Sequence, residues 1–100
     1  MNQSEFKKKV LDIVSKIPKG SVMTYKEVAV AAGNPLASRA VGTFMRQNYN
    51  PDVPCHRVIR SDGQIGNYNR GGRDAKITKL IEEGYSPPSL IAQQLSIDLG

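Results

Sequence analysis

The stretch TYKEVAVAAGNPLASRAVGTFMRQ, residues 24–47, decides the fold. Its first residues include a T-x-x-E capping box, formed by Thr24 and Glu27, in which each side chain accepts a hydrogen bond from the other residue's backbone amide. This pattern predicts a short helix over residues 25–32. Gly33 is the expected stop signal, because glycine adopts the left-handed conformation that commonly ends a helix.

A second helix is predicted directly after this stop, because Asn34-Pro35 is a helix start signal. It passes through Ser38, Val41 and Phe44 and ends near Gln47. Two short helices joined by a tight turn that contains glycine form a helix-turn-helix candidate. Helical hairpins are common in small domains and most do not contact DNA, so this motif alone does not assign a DNA-binding function.

Upstream, the sequence predicts a first helix with Ser4 as its N-cap and with Pro18 and Gly20 as its end. Its apolar residues follow the spacing of one helical face: Phe6, Val10, Ile13, Val14 and Ile17.

Downstream, Val58-Ile59 favours a short strand, and the turn residues 61–63 predict a small hairpin that returns through residues 64–65. A glycine-rich loop covers residues 66–72. A last helix begins at Asp74, and Gly84 ends it. Its predicted inward residues are Ile77, Leu80 and Ile81.

The predicted fold is therefore mainly α with a small β-hairpin, in a domain over residues 1–84. The tail over residues 85–100 is either a short docked helix or a frayed end. One hundred residues with 39% hydrophobic and 23% charged side chains suit one globular core and leave no room for a second.

Several classes of protein are excluded. The apolar runs are far too short for a membrane span or a signal peptide, so we expect a cytoplasmic protein that binds no membrane. One cysteine forms no internal disulfide, and one cysteine with one histidine cannot complete a tetrahedral zinc site. We therefore expect no structural metal site. We also expect a monomer that needs no cofactor.

The charge is unevenly distributed. The net charge is +5, but residues 1–60 carry ten basic and four acidic side chains, whereas residues 61–100 carry four and five. A polyanion such as nucleic acid is the natural partner of the basic part, although many basic proteins bind none.

Chemistry concentrates at Pro54-Cys55-His56-Arg57. A lone intracellular cysteine is most often a small buried hydrophobe. Here, however, His56 can accept a proton and the basic surroundings favour the nucleophilic thiolate. Adjacent side chains on an extended strand point to opposite faces. Either the chain bends at Cys55, or a water molecule carries the proton between the two residues.

Three runs carry a specific resemblance to a known family: VMTYKEVAVAAGNPLASRAVGTFMRQN, VPCHRVIRSDGQIGNY and LIEEG. From about Phe6 to Gly84 the chain resembles the DNA-binding and active-site domain of O6-alkylguanine-DNA alkyltransferases. The resemblance implies a winged helix-turn-helix that binds double-stranded DNA in the minor groove and flips an alkylated guanine. The alkyl group is then transferred irreversibly to the cysteine, in a single turnover.

The same resemblance implies roles for the catalytic residues. Cys55 is the acceptor, His56 takes its proton through water, and Glu83, rather than its neighbour Glu82, orients the imidazole. Tyr25 donates a hydrogen bond towards the guanine ring. Asn48 matches a hinge asparagine, but the stretch from there to the cysteine is one residue shorter than in the family, so Asn50 is an alternative.

For DNA binding, Arg39 matches the arginine finger that fills the space of the flipped base. Small neighbours let the helix approach a narrow groove. The predicted DNA-contacting set is completed by Thr24, Ala37, Ser38, Ala40, Gly42 and Arg46.

The predicted substrate pocket departs from the family in its loop, where asparagine replaces the usual serine and an arginine is added. Arg70 would contact phosphate, narrow the entrance or remain an exposed loop charge. The pocket set comprises Pro54, Arg57, Val58, Tyr68, Asn69, Arg70 and Gly71.

Three functions are compatible with these features. The first is alkyl transfer. The second is lesion sensing as in alkyltransferase-like proteins, which typically carry tryptophan in place of the cysteine and flag the lesion for other repair proteins. The third is a regulator without lesion chemistry, which has no need of PCHRV beside a glycine-rich loop.

Overall fold

A computed structural model describes residues 2–61, 65, 66 and 68–85. The elements in chain order are helix α1 (Gln3–Ser15), strand β1 (Met23–Thr24), helix α2 (Tyr25–Ala31), helix α3 (Ser38–Gln47), a 3-10 turn (Cys55–Arg57), strand β2 (Val58–Ile59) and helix α4 (Gly72–Glu82). The structure is mainly helical with a small two-stranded sheet, which confirms the predicted fold class.

Helix α1 begins earlier than predicted. The Asn2 side chain, rather than that of Ser4, caps it by accepting a hydrogen bond from the Glu5 amide at 2.9 Å. Asparagine and serine are equally good caps, so the local pattern did not separate them, and the earlier cap lengthens the helix. Phe6, Val10 and Val14 form its buried face.

The helix-turn-helix is confirmed in detail. Thr24 Oγ1 accepts from the Glu27 amide at 3.0 Å, and Glu27 Oε1 accepts from the Thr24 amide at 2.9 Å. Gly33 has a φ of +95°, a left-handed conformation in which a side chain would be strained. Helix α3 packs against α2, with Val41, Phe44 and Met45 buried.

The sheet is where the structure differs from the predicted hairpin. Strands β1 and β2 pair in parallel, with Met23 opposite Val58 and Thr24 opposite Ile59. A parallel pair requires a long crossover connection, here supplied by α2, α3 and the 3-10 turn. The hairpin was predicted with its turn at residues 61–63 and its return through residues 64–65, and residues 62–64 lie outside the described part of the chain. The parallel pairing brings the start of α2 next to the cysteine segment.

Helix α4 closes the structure over a second apolar cluster formed by Ile59, Ile65 and Leu80. Ile77 packs partly against this cluster, but Ile81 is 46% exposed, so its predicted inward position was wrong. The inward face of the helix instead carries Lys76, which is fully buried.

Among the described helices none is both long and apolar enough to cross a membrane. Tyr85 packs on the second cluster. The prediction for the tail falls on residues 86–100, which lie beyond the described chain.

Candidate active site and DNA-binding groove

Cys55 begins the 3-10 turn, so the chain bends at the PCHR signature. The Arg57 amide donates to the Pro54 carbonyl at 2.9 Å, and the Cys55 amide donates to Val53 at 2.8 Å. Only 4% of the cysteine is exposed. The backbone around Cys55 is therefore held by its own hydrogen bonds.

His56 is oriented by the carboxylate of Glu83, whose Oε1 lies 2.9 Å from His56 Nε2. Arg57 holds the same carboxylate with two hydrogen bonds, from Nε at 3.0 Å and from Nη2 at 2.7 Å. Its third nitrogen, Nη1, donates to the Ile17 carbonyl at 2.7 Å. Glu83 is thus fixed from two sides, and it is Glu83 rather than Glu82 that meets the histidine.

The pKa values explain how this pair is protonated. The hydrogen bonds from Arg57 lower the pKa of Glu83 to about 2, and those from His56 act in the same direction, while burial opposes both. Burial lowers the pKa of His56 below 6.5, and its hydrogen bond to Glu83 only partly offsets this effect. At neutral pH the imidazole is therefore neutral. Its Nε2–H donates to Glu83, which leaves Nδ1 free to accept a proton.

A small cavity of about 10 Å³ lies beside Cys55, which is room for one water molecule. It is lined by Tyr25, Met45, Arg46, Cys55, Tyr68, Asn69 and Lys76. The Tyr68 ring also meets the His56 ring edge-on, with centroids 6.3 Å apart. This cysteine pocket brings together residues from α2, α3, the signature turn, the glycine-rich loop and α4.

Besides Met45, the residue of this pocket that was not predicted from the sequence is Lys76. Its Nζ lies 3.5 Å from the Tyr25 hydroxyl and 5.7 Å from the centroid of that ring. Burial lowers its pKa to about 8, and the negative charge available at Cys55 opposes this shift. The available signal was its spacing four residues before Leu80, which puts both on one helical face.

Tyr25 remains a hydrogen-bond donor at neutral pH. Burial raises the pKa of its hydroxyl, and a negative charge at Cys55 adds to this effect, while Arg46 and Arg60 oppose it.

An open groove of about 690 Å³ adjoins the cysteine pocket and contains three arginines. Its lining residues are Tyr25, Ser38, Arg39, Gly42, Thr43, Arg46, Arg60 and Ser61. Tyr25 and Arg46 line both cavities, so they stand at the junction between the groove and the cysteine. This basic groove suits a phosphate backbone.

The groove contains four of the predicted DNA-contacting residues: Ser38, Arg39, Gly42 and Arg46. Ala37 and Ala40 instead pack partly on the core, and the Thr24 hydroxyl is used by the capping box. Thr43, Arg60 and Ser61 were not predicted. Arg60 and Ser61 reach the groove through the sheet pairing, which no local pattern revealed.

The hinge contacts belong to Asn48, the C-cap of α3. Its Nδ2 donates to the Val53 carbonyl at 3.1 Å and to the Asn50 carbonyl at 3.4 Å, and its Oδ1 accepts from the Asn50 amide at 3.2 Å. Asn50 uses its own side chain locally, accepting from the Asp52 amide. The geometry therefore favours Asn48 over Asn50 as the link between α3 and the cysteine segment.

The family described as 6-O-methylguanine DNA methyltransferase, DNA binding domain, matches residues 5–85. The chain belongs to this family. Among its relatives is the Rattus norvegicus methylated-DNA–protein-cysteine methyltransferase, 50% identical over 84 residues, which are 82% of this chain and 40% of the relative. The Methanothermobacter thermautotrophicus enzyme of the same name is 48% identical over 83% of this chain and 46% of its own length.

Two solved structures show the same domain. Mycobacterium tuberculosis OGT in complex with DNA has a TM-score of 0.74 and 36% identity, covering 82% of this chain and 50% of that one. S. pombe Atl1, bound to damaged DNA containing O6-carboxymethylguanine, has a TM-score of 0.73 and 40% identity, covering 84% of this chain and 80% of that one. This chain spans less than half the length of the two curated methyltransferases.

Within this alkyltransferase domain, the predicted pocket residues divide into two groups. Tyr68 and Asn69 line the cysteine pocket. The other five do not line it. Pro54 precedes the cysteine, Val58 is fully buried on β2, and Arg57 donates to Glu83. Gly71 is the N-cap of α4, with a φ of +121°, and Arg70 has a buried Nη2 with no hydrogen-bond partner among the described residues.

Proposed function

We propose that this domain repairs DNA by transferring the alkyl group of O6-alkylguanine irreversibly to Cys55. One observation carries the proposal: Cys55, followed in the chain by a histidine that Glu83 orients, lines a pocket that shares Tyr25 and Arg46 with a groove lined by arginines. The names of the curated relatives, methylated-DNA–protein-cysteine methyltransferases, support the same chemistry.

In the proposed reaction His56 Nδ1 takes the thiol proton, through one water molecule, and Glu83 stabilises the resulting imidazolium. The thiolate attacks the alkyl carbon, a sulfur–carbon bond forms and the bond from that carbon to guanine O6 breaks. The electron pair stays on the guanine, whose negative charge is reduced by a hydrogen bond from Tyr25. The guanine then takes one proton from water, and the His56 imidazolium returns its proton to water. A thioether is a poor leaving group, so each molecule reacts once.

The groove binds the DNA from which the base is extruded. Arg39, exposed on the first turn of α3, is the proposed finger that fills the space of the extruded nucleotide. The cysteine pocket holds about one water molecule, so a guanine enters only after side chains at the junction move. Tyr25 and Arg46 occupy that junction, which gives them a part in admitting the base.

The test is the intact mass of the protein after incubation with a duplex containing O6-methylguanine. We expect a gain of one methyl group, about 14 Da, and no further turnover. Cys55→Ala should bind the same duplex with unchanged mass.

The second candidate is lesion binding without transfer, favoured by the likeness to Atl1 in complex with alkylated DNA. The same measurement separates the two functions. An unchanged mass of the wild-type protein, with the duplex saturating, would replace repair by sensing.

A further inference from the structure

Asn69 connects the glycine-rich loop to the end of α3 through one amide group. Its Nδ2 lies 2.7 Å from the Asn48 carbonyl oxygen, 2.8 Å from that of Arg46 and 3.3 Å from that of Met45. The three acceptors are 21 to 24 residues away in sequence. The contact is therefore purely tertiary.

The orientation of this amide is determined by its surroundings. An NH2 group has two hydrogens, which suit the two short contacts, and the third acceptor is more distant. A flipped amide would direct Oδ1 at three carbonyl oxygens and would be repelled. In the observed orientation Oδ1 is buried and has no partner among the described residues, so the donors alone hold the side chain.

Two of the carbonyls that Asn69 reaches, those of Met45 and Arg46, are among the last four of α3, and the third belongs to its C-cap, Asn48. The last four carbonyls of an α-helix have no donor within the helix. Helix α3 ends at Gln47, and its C-cap, Asn48, is extended, with only the Asn48 amide folding back, onto Met45 at 3.2 Å. Asn69 therefore supplies, from a different segment, donors that the end of α3 requires.

We propose that Asn69 caps α3 in trans and is a positioning residue for alkyl transfer. This inference rests on the proposed function. Met45, Arg46 and Asn69 are all part of the pocket wall, while the other end of α3 lines the groove. The cap holds Asn69 of the loop against Met45 and Arg46 of α3. The pocket wall formed by these residues therefore keeps a defined shape when DNA occupies the groove.

Two substitutions distinguish this role from simple packing. Asn69→Asp keeps the size and shape of the side chain but replaces the donors with an acceptor that faces three carbonyl oxygens. Asn69→Ser is milder, since its hydroxyl offers one donor on a shorter side chain, and it carries the test if the aspartate variant does not fold. The matched control is Asn2→Ser, which exchanges one good N-cap for another at the start of α1.

The first measurement is single-turnover methyl transfer at increasing concentrations of methylguanine duplex. We expect the maximal rate to fall about tenfold in Asn69→Ser, the factor expected for one lost hydrogen bond, and further in Asn69→Asp. The half-saturating DNA concentration should stay unchanged, because the groove residues are intact. Asn2→Ser should behave as wild type.

The second measurement is amide hydrogen exchange without DNA. Residues 46–50 and 68–72 should exchange faster in both Asn69 variants, because each end of the contact loses its support. Exchange at the wild-type rate in both segments, or wild-type transfer by a folded Asn69→Asp protein, would overturn the proposal. A wild-type protein that gains no methyl group would instead overturn the repair function, and hydrogen exchange would then decide the cap independently.

Discussion

Two ionisable side chains near Cys55 keep their charge at pH 7 although they are buried. They are Glu83 and Lys76. Glu83 is 11% exposed but stays ionised, because Arg57 donates two hydrogen bonds to its carboxylate. Lys76 is fully buried, and its pKa falls to about 8. At pH 7 both still carry charge, so His56 has an anion to stabilise its protonated form and Cys55 has a cation to stabilise the thiolate.

We expect Glu83→Gln to lose stability in a pH-dependent way. The pKa of Glu83 is about 2 in the folded protein and near 4.5 without partners. Its ionised form therefore contributes stability that is complete above pH 4.5 and disappears as the pH falls towards 2, an effect of roughly 3 kcal/mol at most. Urea denaturation between pH 2 and 7 measures it. Glu82→Gln, an exposed neighbour, is the control, and a pH-independent loss would contradict the assignment.

Lys76→Met should separate stability from activity. The cost of the buried ammonium is complete below pH 8 and diminishes between pH 8 and 10.5. Methionine removes this cost, so the free energy of unfolding at pH 7 should be unchanged or higher, by at most about 3 kcal/mol.

Methyl transfer by Lys76→Met should nevertheless slow, because the ammonium group that attracts a negative charge at Cys55 is lost. Lys79→Met, exposed on the same helix, is the control in denaturation and transfer assays. Transfer at the wild-type rate by Lys76→Met would show that the ammonium does not assist the thiolate.

At the scale of elements, α3 serves two purposes on different faces. Its buried face carries Val41, Phe44 and Met45 into the core. Its other face lines the groove with Ser38, Arg39 and Gly42 among other residues. A Cβ added at Gly42 would meet nothing within 4 Å, so the fold itself does not require glycine there. The small residue leaves room for a molecule outside the protein.

Gly42→Ala should therefore stabilise the protein and weaken DNA binding. Alanine in a helix interior is favoured over glycine by roughly 0.5–1 kcal/mol, which denaturant unfolding should detect. The added methyl group projects into the groove, so the dissociation constant for duplex DNA should rise. Gln47→Ala, exposed at the end of the same helix and outside the groove, is the control for affinity. Unchanged affinity in Gly42→Ala would remove this face from the DNA interface.

At the scale of the whole molecule, part of the positive charge of the first 60 residues lies in one groove. Of the ten basic residues in that part, three arginines meet in one groove although they lie in different segments. Arg39 and Arg46 come from α3, and Arg60 follows β2. The parallel pairing of β1 and β2 places Arg60 in this groove, which adjoins the cysteine pocket.

DNA affinity should accordingly fall with salt. Each neutralised phosphate contributes a slope of about −0.9 to the plot of log affinity against log salt, so three arginine contacts give roughly −3. Arg60→Ala should reduce the slope by about one, equally on different sequences, when binding is measured by fluorescence anisotropy. Lys19→Ala, outside the groove, should leave the slope as it is. Salt-independent binding would exclude an electrostatic interface.

The sequence by itself determined what depends on neighbours within a turn or two. The capping box of Thr24 and Glu27 joins residues three apart, and the buried face of α1 follows a helical period, so both are readable from local spacing. The resemblance carried by PCHR and LIEEG predicted Cys55, His56 and Glu83 as site residues, and the structure places His56 Nε2 2.9 Å from Glu83 Oε1.

Only the tertiary structure decided which distant residues meet. Strand β1 pairs with β2, which no local pattern indicated, and Lys76 lies inward beside Tyr25. Arg57 donates hydrogen bonds to Glu83, which is 26 residues away in sequence, and Asn69 caps α3. Such contacts are selected by how the elements pack and by which buried donors and acceptors must find partners. A single sequence shows which donors and acceptors are present, but the packing of the elements determines which of them form hydrogen bonds with each other.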